Sequence, residues 1–80
     1  MQLTMYGRAE CCLCDEMWAV VEPLAREHGV PLEKIDVDAD PVLARAYGER
    51  VPLLCIDGRP AFKYRVTGAA LRARLAGASR

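Results

Sequence analysis

Three of the chain's four cysteines fall within four residues, Cys11, Cys12 and Cys14, and the fourth, Cys55, stands apart. Cys11 and Cys14 form a C-x-x-C pair. Three residues is close to one helical turn, so two sulfurs at that spacing stack and can close a disulfide with little backbone movement. That is the geometry of thiol–disulfide exchange. Metal binding competes for the same thiols. Zinc and iron–sulfur sites need four ligands, and beyond the pair the chain offers Cys12, His28 and Cys55. A metal or iron–sulfur site built on Cys11, Cys12 and Cys14 and completed across a dimer stays open as the alternative.

The elements that must position these thiols follow from the hydrophobic spacing. Gln2–Tyr6 alternates, which predicts a strand broken by Gly7. From Cys12 to His28 the residues Met17, Trp18, Val21, Leu24 and Ala25 recur at helical spacing, with Pro23 inside the helix and Gly29 as its stop. Ile35 and Val37 alternate with Lys34 and Asp36, as suits a strand near a sheet edge. Asp40-Pro41 starts a short helix that Tyr47-Gly48 ends. Leu53–Ile56 is an unbroken apolar run, the pattern of an interior strand, and Asp57-Gly58 is a hairpin signal. Phe62, Tyr64 and Val66 alternate with Lys63 and Arg65 as a further strand. Thr67 caps a last helix whose Leu71 and Leu75 share a face and which Gly77 closes. The order is β-α-β-α-β-β-α. It predicts one α/β domain over residues 1–80, a mixed four-stranded sheet flanked by helices.

The cysteine cluster then lies where the first strand gives way to the first helix. Cys11 takes the cap position, where its sulfur can accept from the amides of Leu13 and Cys14. The helix dipole favours a thiolate there, and Arg8, three residues upstream, is a further positive group. Both lower the expected pKa of Cys11 below the free-thiol value of about 8.5, against opposition from Glu10. Cys14, one turn inside, is expected to stay a thiol. Cys11 is thus the predicted nucleophile and Cys14 the resolving cysteine.

Composition narrows the class. Eleven Lys and Arg balance eleven Asp and Glu, and 52% of residues are hydrophobic. Zero net charge argues against nucleic acid as partner, and no apolar run approaches a membrane span. The start, MQLTMYGRAE, lacks the order of a secretory signal. A cytoplasmic location follows, where disulfides are usually catalytic or regulatory.

With these residues placed, the chain resembles the glutaredoxins of the thioredoxin-fold superfamily, and in particular the small bacterial glutaredoxin-like proteins with a C-H-L-C-type site. Tyr6 to Cys11, with Arg8 as the basic residue before the nucleophile, carries the resemblance together with Leu13 and Cys14. Cys12 stands where those relatives commonly have His. Ile35-Asp36-Val37-Asp38 and Asp40-Pro41 match their second strand and helix start. The resemblance implies a thioredoxin-like fold, a thiol–disulfide oxidoreductase acting on protein or small-molecule disulfides, and a cis bond at Val51-Pro52 in a substrate-binding loop. It carries Arg8, Val51, Pro52, Thr67 and Gly68 over as substrate-binding residues. No tightly bound cofactor is implied, with glutathione as a candidate reductant. The expected partner of this monomer is a protein disulfide or a glutathione mixed disulfide. Two positions depart from the glutathione-binding pattern. Arg50 stands where Thr is typical, and Val66-Thr67-Gly68-Ala69 has one glycine in place of a pair.

The remaining candidates have plainer readings. Trp18 and Tyr6 fit the helix stripe and the sheet, although the resemblance also places Tyr6 near the active-site loop. Cys55 reads as core filler, Cys12 as a reactive bystander, and His28 and Asp15 as side chains complementing the helix dipole. A binding module that keeps the fold without catalysis is the third reading, and the intact C-x-x-C argues against it.

Overall fold

The computed structural model describes residues 1–78. The chain runs through β1 (Leu3–Gly7), α1 (Cys12–His28), β2 (Leu32–Asp36), a 3-10 turn (Val37–Ala39), α2 (Pro41–Tyr47), β3 (Leu53–Ile56), β4 (Arg59–Lys63) and α3 (Gly68–Ala78). The strands form one sheet in the order β2-β1-β3-β4. β1 and β2 are parallel, and the other two pairings are antiparallel. This is the expected mixed four-stranded α/β sheet of the thioredoxin-like fold.

Alternation in β1 puts Leu3 and Met5 in the core, both with no exposed surface. Against them α1 lays Cys14, Met17, Val21, Leu24 and Ala25, α3 adds Leu71 and Leu75, and β3 adds Leu54 and Ile56. Each fully buried aliphatic side chain here stabilises the fold by ~1.5–3 kcal/mol. The other sheet face is covered more thinly. No residue of α2 is buried, and Tyr47 at its end stacks on Tyr6 of β1 with ring centroids 4.6 Å apart. All four residues of β3 are buried, as its central place requires. α1 continues past Pro23 and ends at Gly29, whose φ of 65° aims its amide at the carbonyls of Ala25 and Arg26. No helix of the described residues is long and apolar enough to cross a membrane.

Three boundaries depart from expectation. Val37 leaves the predicted strand for the 3-10 turn because the Asp36 carboxylate accepts the Asp38 amide at 2.9 Å, and Val37 still ends fully buried. The last strand begins directly after the hairpin and stops at Lys63. Tyr64 adopts φ 69° and donates its amide to the Pro52 carbonyl at 2.7 Å, so Tyr64, Arg65 and Val66 alternate in sequence without forming a ladder. Pro60 lies within this strand, tolerated because β4 is an edge and its register slips between Leu54 and Cys55. Finally, α3 continues through Gly77 to Ala78. Gly77 is not among the residues with positive φ, so it does not make the left-handed cap that stops α1.

Candidate active site

Cys11 has the extended backbone of a helix cap, φ −114° and ψ 110°. Its carbonyl accepts the Asp15 amide at 3.1 Å, the first bond of α1, and its sulfur accepts the Cys14 amide at 3.2 Å. The expected bond from Leu13 is not made. The sulfur meets the donor three residues on, one of the two that a cap side chain can reach. Cys11 is half-buried, Cys12 is exposed on the first turn, and Cys14 is buried at 2% exposure. All four cysteines are free thiols.

Burial, chiefly, pushes the Cys14 thiol up to about 11. A hydrogen bond with the Cys11 sulfur and the charges of Cys11 and Asp15 act the same way, while the backbone N–H of Arg8 pulls it down. Cys14 is therefore a neutral thiol at physiological pH, as expected. Gly7 closes the site from β1, since a Cβ there would lie 3.4 Å from the Cys14 sulfur. Burial also raises the thiol of Cys55, which sits opposite Thr4 in β3 at 4% exposure.

Arg8 does not turn to the cysteines. Its Nε and Nη2 donate to one oxygen of Asp38, at 3.2 and 3.1 Å. Both partners are about half exposed, so the pair is worth only ~0–1 kcal/mol, but it ties the active-site loop to the turn after β2. Asp38 was invisible to spacing arguments, being thirty residues away.

The Val51–Pro52 peptide is cis, as the resemblance implied, and Pro52 is fully buried. Tyr6 of β1 pairs with Leu53 of β3, so the residues that follow and precede them, Gly7 and Pro52, lie at one end of the sheet. Cys11, in the connection that leaves β1, and Cys14, whose sulfur lies beside Gly7, occupy that same end. Cys11, Val51 and Val66 all pack, half-buried, against the core that holds Cys14. Tyr64 brackets the loop, its amide on the Pro52 carbonyl and its hydroxyl on the Glu49 carbonyl at 3.1 Å. Tyr64 lies fifteen residues from Glu49, so this contact leaves no local signal in the sequence.

Thr67 caps α3, its hydroxyl accepting the Ala70 amide at 3.1 Å, and Gly68 is the first helical residue. The polar contacts of Thr67 stay within α3. Trp18 is half-buried against the core, with the Lys34 ammonium 4.8 Å from its ring. His28 is exposed in the last turn of α1. Among the described residues no three His, Cys, Asp or Glu side chains converge as ligands for one ion.

The sequence matches the glutaredoxin-like domain (DUF836) over residues 2–76. The chain belongs to this glutaredoxin-like family. It is 31% identical to the uncharacterized Mycobacterium tuberculosis protein Rv0508 over 80 residues, 94% of this chain and 82% of that one. It is also similar to the X-ray structure of XcR50 from X. campestris, with TM-score 0.72, 37% identity and coverage of 94% and 96% of the two chains. A mutant thioredoxin from Halobacterium salinarum superimposes with TM-score 0.70 at 31% identity, covering 98% of this chain and 74% of the thioredoxin. The glutaredoxin-like chain thus combines a thioredoxin fold with a C-x-x-C at the start of its first helix, an arrangement that suggests redox function.

Proposed function

We propose that the glutaredoxin-like chain is a cytoplasmic thiol–disulfide oxidoreductase, with Cys11 as nucleophile and Cys14 as resolving cysteine. The Cys11 thiolate attacks one sulfur of a substrate disulfide. An intermolecular disulfide forms and the first substrate thiolate leaves. Cys14 then gives up its proton and attacks the Cys11 sulfur, closing Cys11–Cys14 and expelling the second substrate thiolate. Two electrons pass from the dithiol to the substrate, and both substrate sulfurs end as thiols.

The observation that carries this reading is the cap bond from the Cys14 amide to the Cys11 sulfur, with the Cys14 thiol buried behind it. The influences on Cys14 also fit the order of steps. Once Cys11 is held in a mixed disulfide it bears no charge, so two of the effects that raise Cys14, the Cys11 charge and the bond between the sulfurs, are removed. Burial remains, but the resolving thiol becomes easier to ionise at the step that needs it.

The departures at Arg50 and Val66–Ala69 favour a protein disulfide over a glutathione adduct as substrate, with glutathione kept as candidate reductant. Turnover of a peptide disulfide tests the assignment. Cys11→Ser is expected to abolish turnover, and Cys14→Ser to stall at a mixed disulfide that gel shift detects. Full turnover by Cys11→Ser would overturn the reading.

A further inference from the structure

The net charge of zero conceals a division of the chain. Residues 1–49 hold ten of the eleven acids and four of the eleven bases, whereas residues 50–80 hold seven bases and the single acid Asp57. The halves therefore carry formal charges of −6 and +6. Within the sheet the two stand at opposite edges: β2, with Glu33, Lys34 and Asp36, is one edge and β4, with Arg59 and Lys63, is the other. Three strand spacings separate these edges, roughly 14 Å.

At the basic edge lies a cleft of about 340 Å³ between the end of α2 and the β3–β4 hairpin. Tyr47, Leu53 and Pro60 supply its apolar wall, and Arg50 and Lys63 its charge. Among the described residues neither cation has a carboxylate within 4.0 Å. Lys63 instead rests 5.2 Å from the ring of Tyr64. Arg50 directly precedes the Val51–Pro52 loop. Lys63, Leu53 and Tyr6 stand in one register row across β4, β3 and β1. The cleft thus lies two strand spacings, about 10 Å, from the point where β1 runs on to Cys11.

We propose that this cleft is a docking surface for an acidic segment of a protein substrate, an aromatic or aliphatic side chain filling the apolar wall beside a carboxylate held by Arg50 and Lys63. The proposal rests on the oxidoreductase reading and adds the substrate class to it. Extended chain advances about 3.3 Å per residue, so the acidic anchor lies roughly three to five residues from the substrate cysteine. The acidic half of the molecule repels such a segment and leaves the basic edge as its approach. Charge of this kind acts on encounter and orientation and weakens with salt.

The test uses the full chain carrying Cys11→Ser, so that no exchange occurs, and a labelled ten-residue peptide with Tyr, Glu and Asp four residues from a serine in place of cysteine. Fluorescence anisotropy is expected to show the acidic peptide binding about tenfold more tightly than its Gln/Asn counterpart. The advantage falls as salt rises and is lost in the Arg50→Gln/Lys63→Gln double variant. Arg72→Gln, in the same basic half but outside the cleft, retains it. Equal binding of the acidic and amide peptides would overturn the proposal, as would an unchanged advantage in the double variant. Displacement of the peptide by glutathione disulfide at equal concentration would also overturn it, because the cleft would then hold a small anionic thiol. Titrating the parental cysteine couple with dithiothreitol tests the redox reading separately. A normal couple without the peptide preference removes only the docking surface, and a preference without any couple removes the redox reading and with it the cleft's role in substrate choice.

Discussion

Replacing Cys11 by serine should make Cys14 more reactive, although it removes the proposed nucleophile. In the parent protein burial, with the Cys11 sulfur beside it, pushes the Cys14 thiol up to about 11. At pH 8 about one molecule in a thousand then carries its thiolate, against about one in four for a free thiol of pKa 8.5. Alkylation follows the thiolate, so Cys14 should react roughly 200-fold more slowly than a free thiol before any steric protection is counted. Two of the influences holding its proton, the bond to the Cys11 sulfur and the Cys11 charge, disappear in Cys11→Ser, while the dominant one, burial, stays. The midpoint of Cys14 labelling should therefore move below about 11 yet remain above 8.5. Iodoacetamide pulse labelling from pH 7 to about 12, read by peptide mass spectrometry, brackets both midpoints. A parental midpoint near 8.5, or one that Cys11→Ser leaves in place, would refute the reasoning.

Other consequences are simpler. The reduced protein should lose stability in alkali. Cys14 binds its proton more tightly folded than unfolded, so its contribution is complete below about pH 9 and lost as pH rises to about 11, in the order of 2–3 kcal/mol; denaturant midpoints that do not fall over this window would contradict it. Leu54→Ala empties a fully buried site between the sheet and α1 and should cost ~2–5 kcal/mol, a large part of a small domain's stability, whereas a loss under 1 kcal/mol would place Leu54 outside the core. Gly29→Ala forces a side chain into φ 65° and should lower stability by ~1 kcal/mol without changing disulfide turnover. Thr67→Ala should cost a similar ~1 kcal/mol through the lost cap of α3, and an unchanged melting temperature would show the cap to be idle.

Much of this arrangement was legible because neighbours in sequence encode it. The cap at Cys11, the helix it starts, the Asp40-Pro41 start and the Asp57-Gly58 hairpin each depend on residues within one turn of each other. The buried position of Cys14 followed from helical spacing alone. Contacts between distant segments left no such mark. Arg8 looked like a partner for Cys11 because it lies three residues away, but the fold brings Asp38 to its guanidinium. The alternation of Phe62, Tyr64 and Val66 promised a longer strand, and the carbonyl of Pro52 captured the Tyr64 amide and ended it. The stacking of Tyr6 on Tyr47, which joins the sheet to α2, was likewise beyond the reach of periodicity.

The central claim is that Cys11 and Cys14 are the two ends of one redox couple. Oxidising the protein with a graded dithiothreitol buffer, digesting it without reduction and mapping the linked peptides tests that claim most directly. The account predicts a two-electron transition in which a Cys11–Cys14 link accumulates while Cys12 and Cys55 stay free. A link through Cys12 in place of Cys14, or no intramolecular link at any potential, would contradict it.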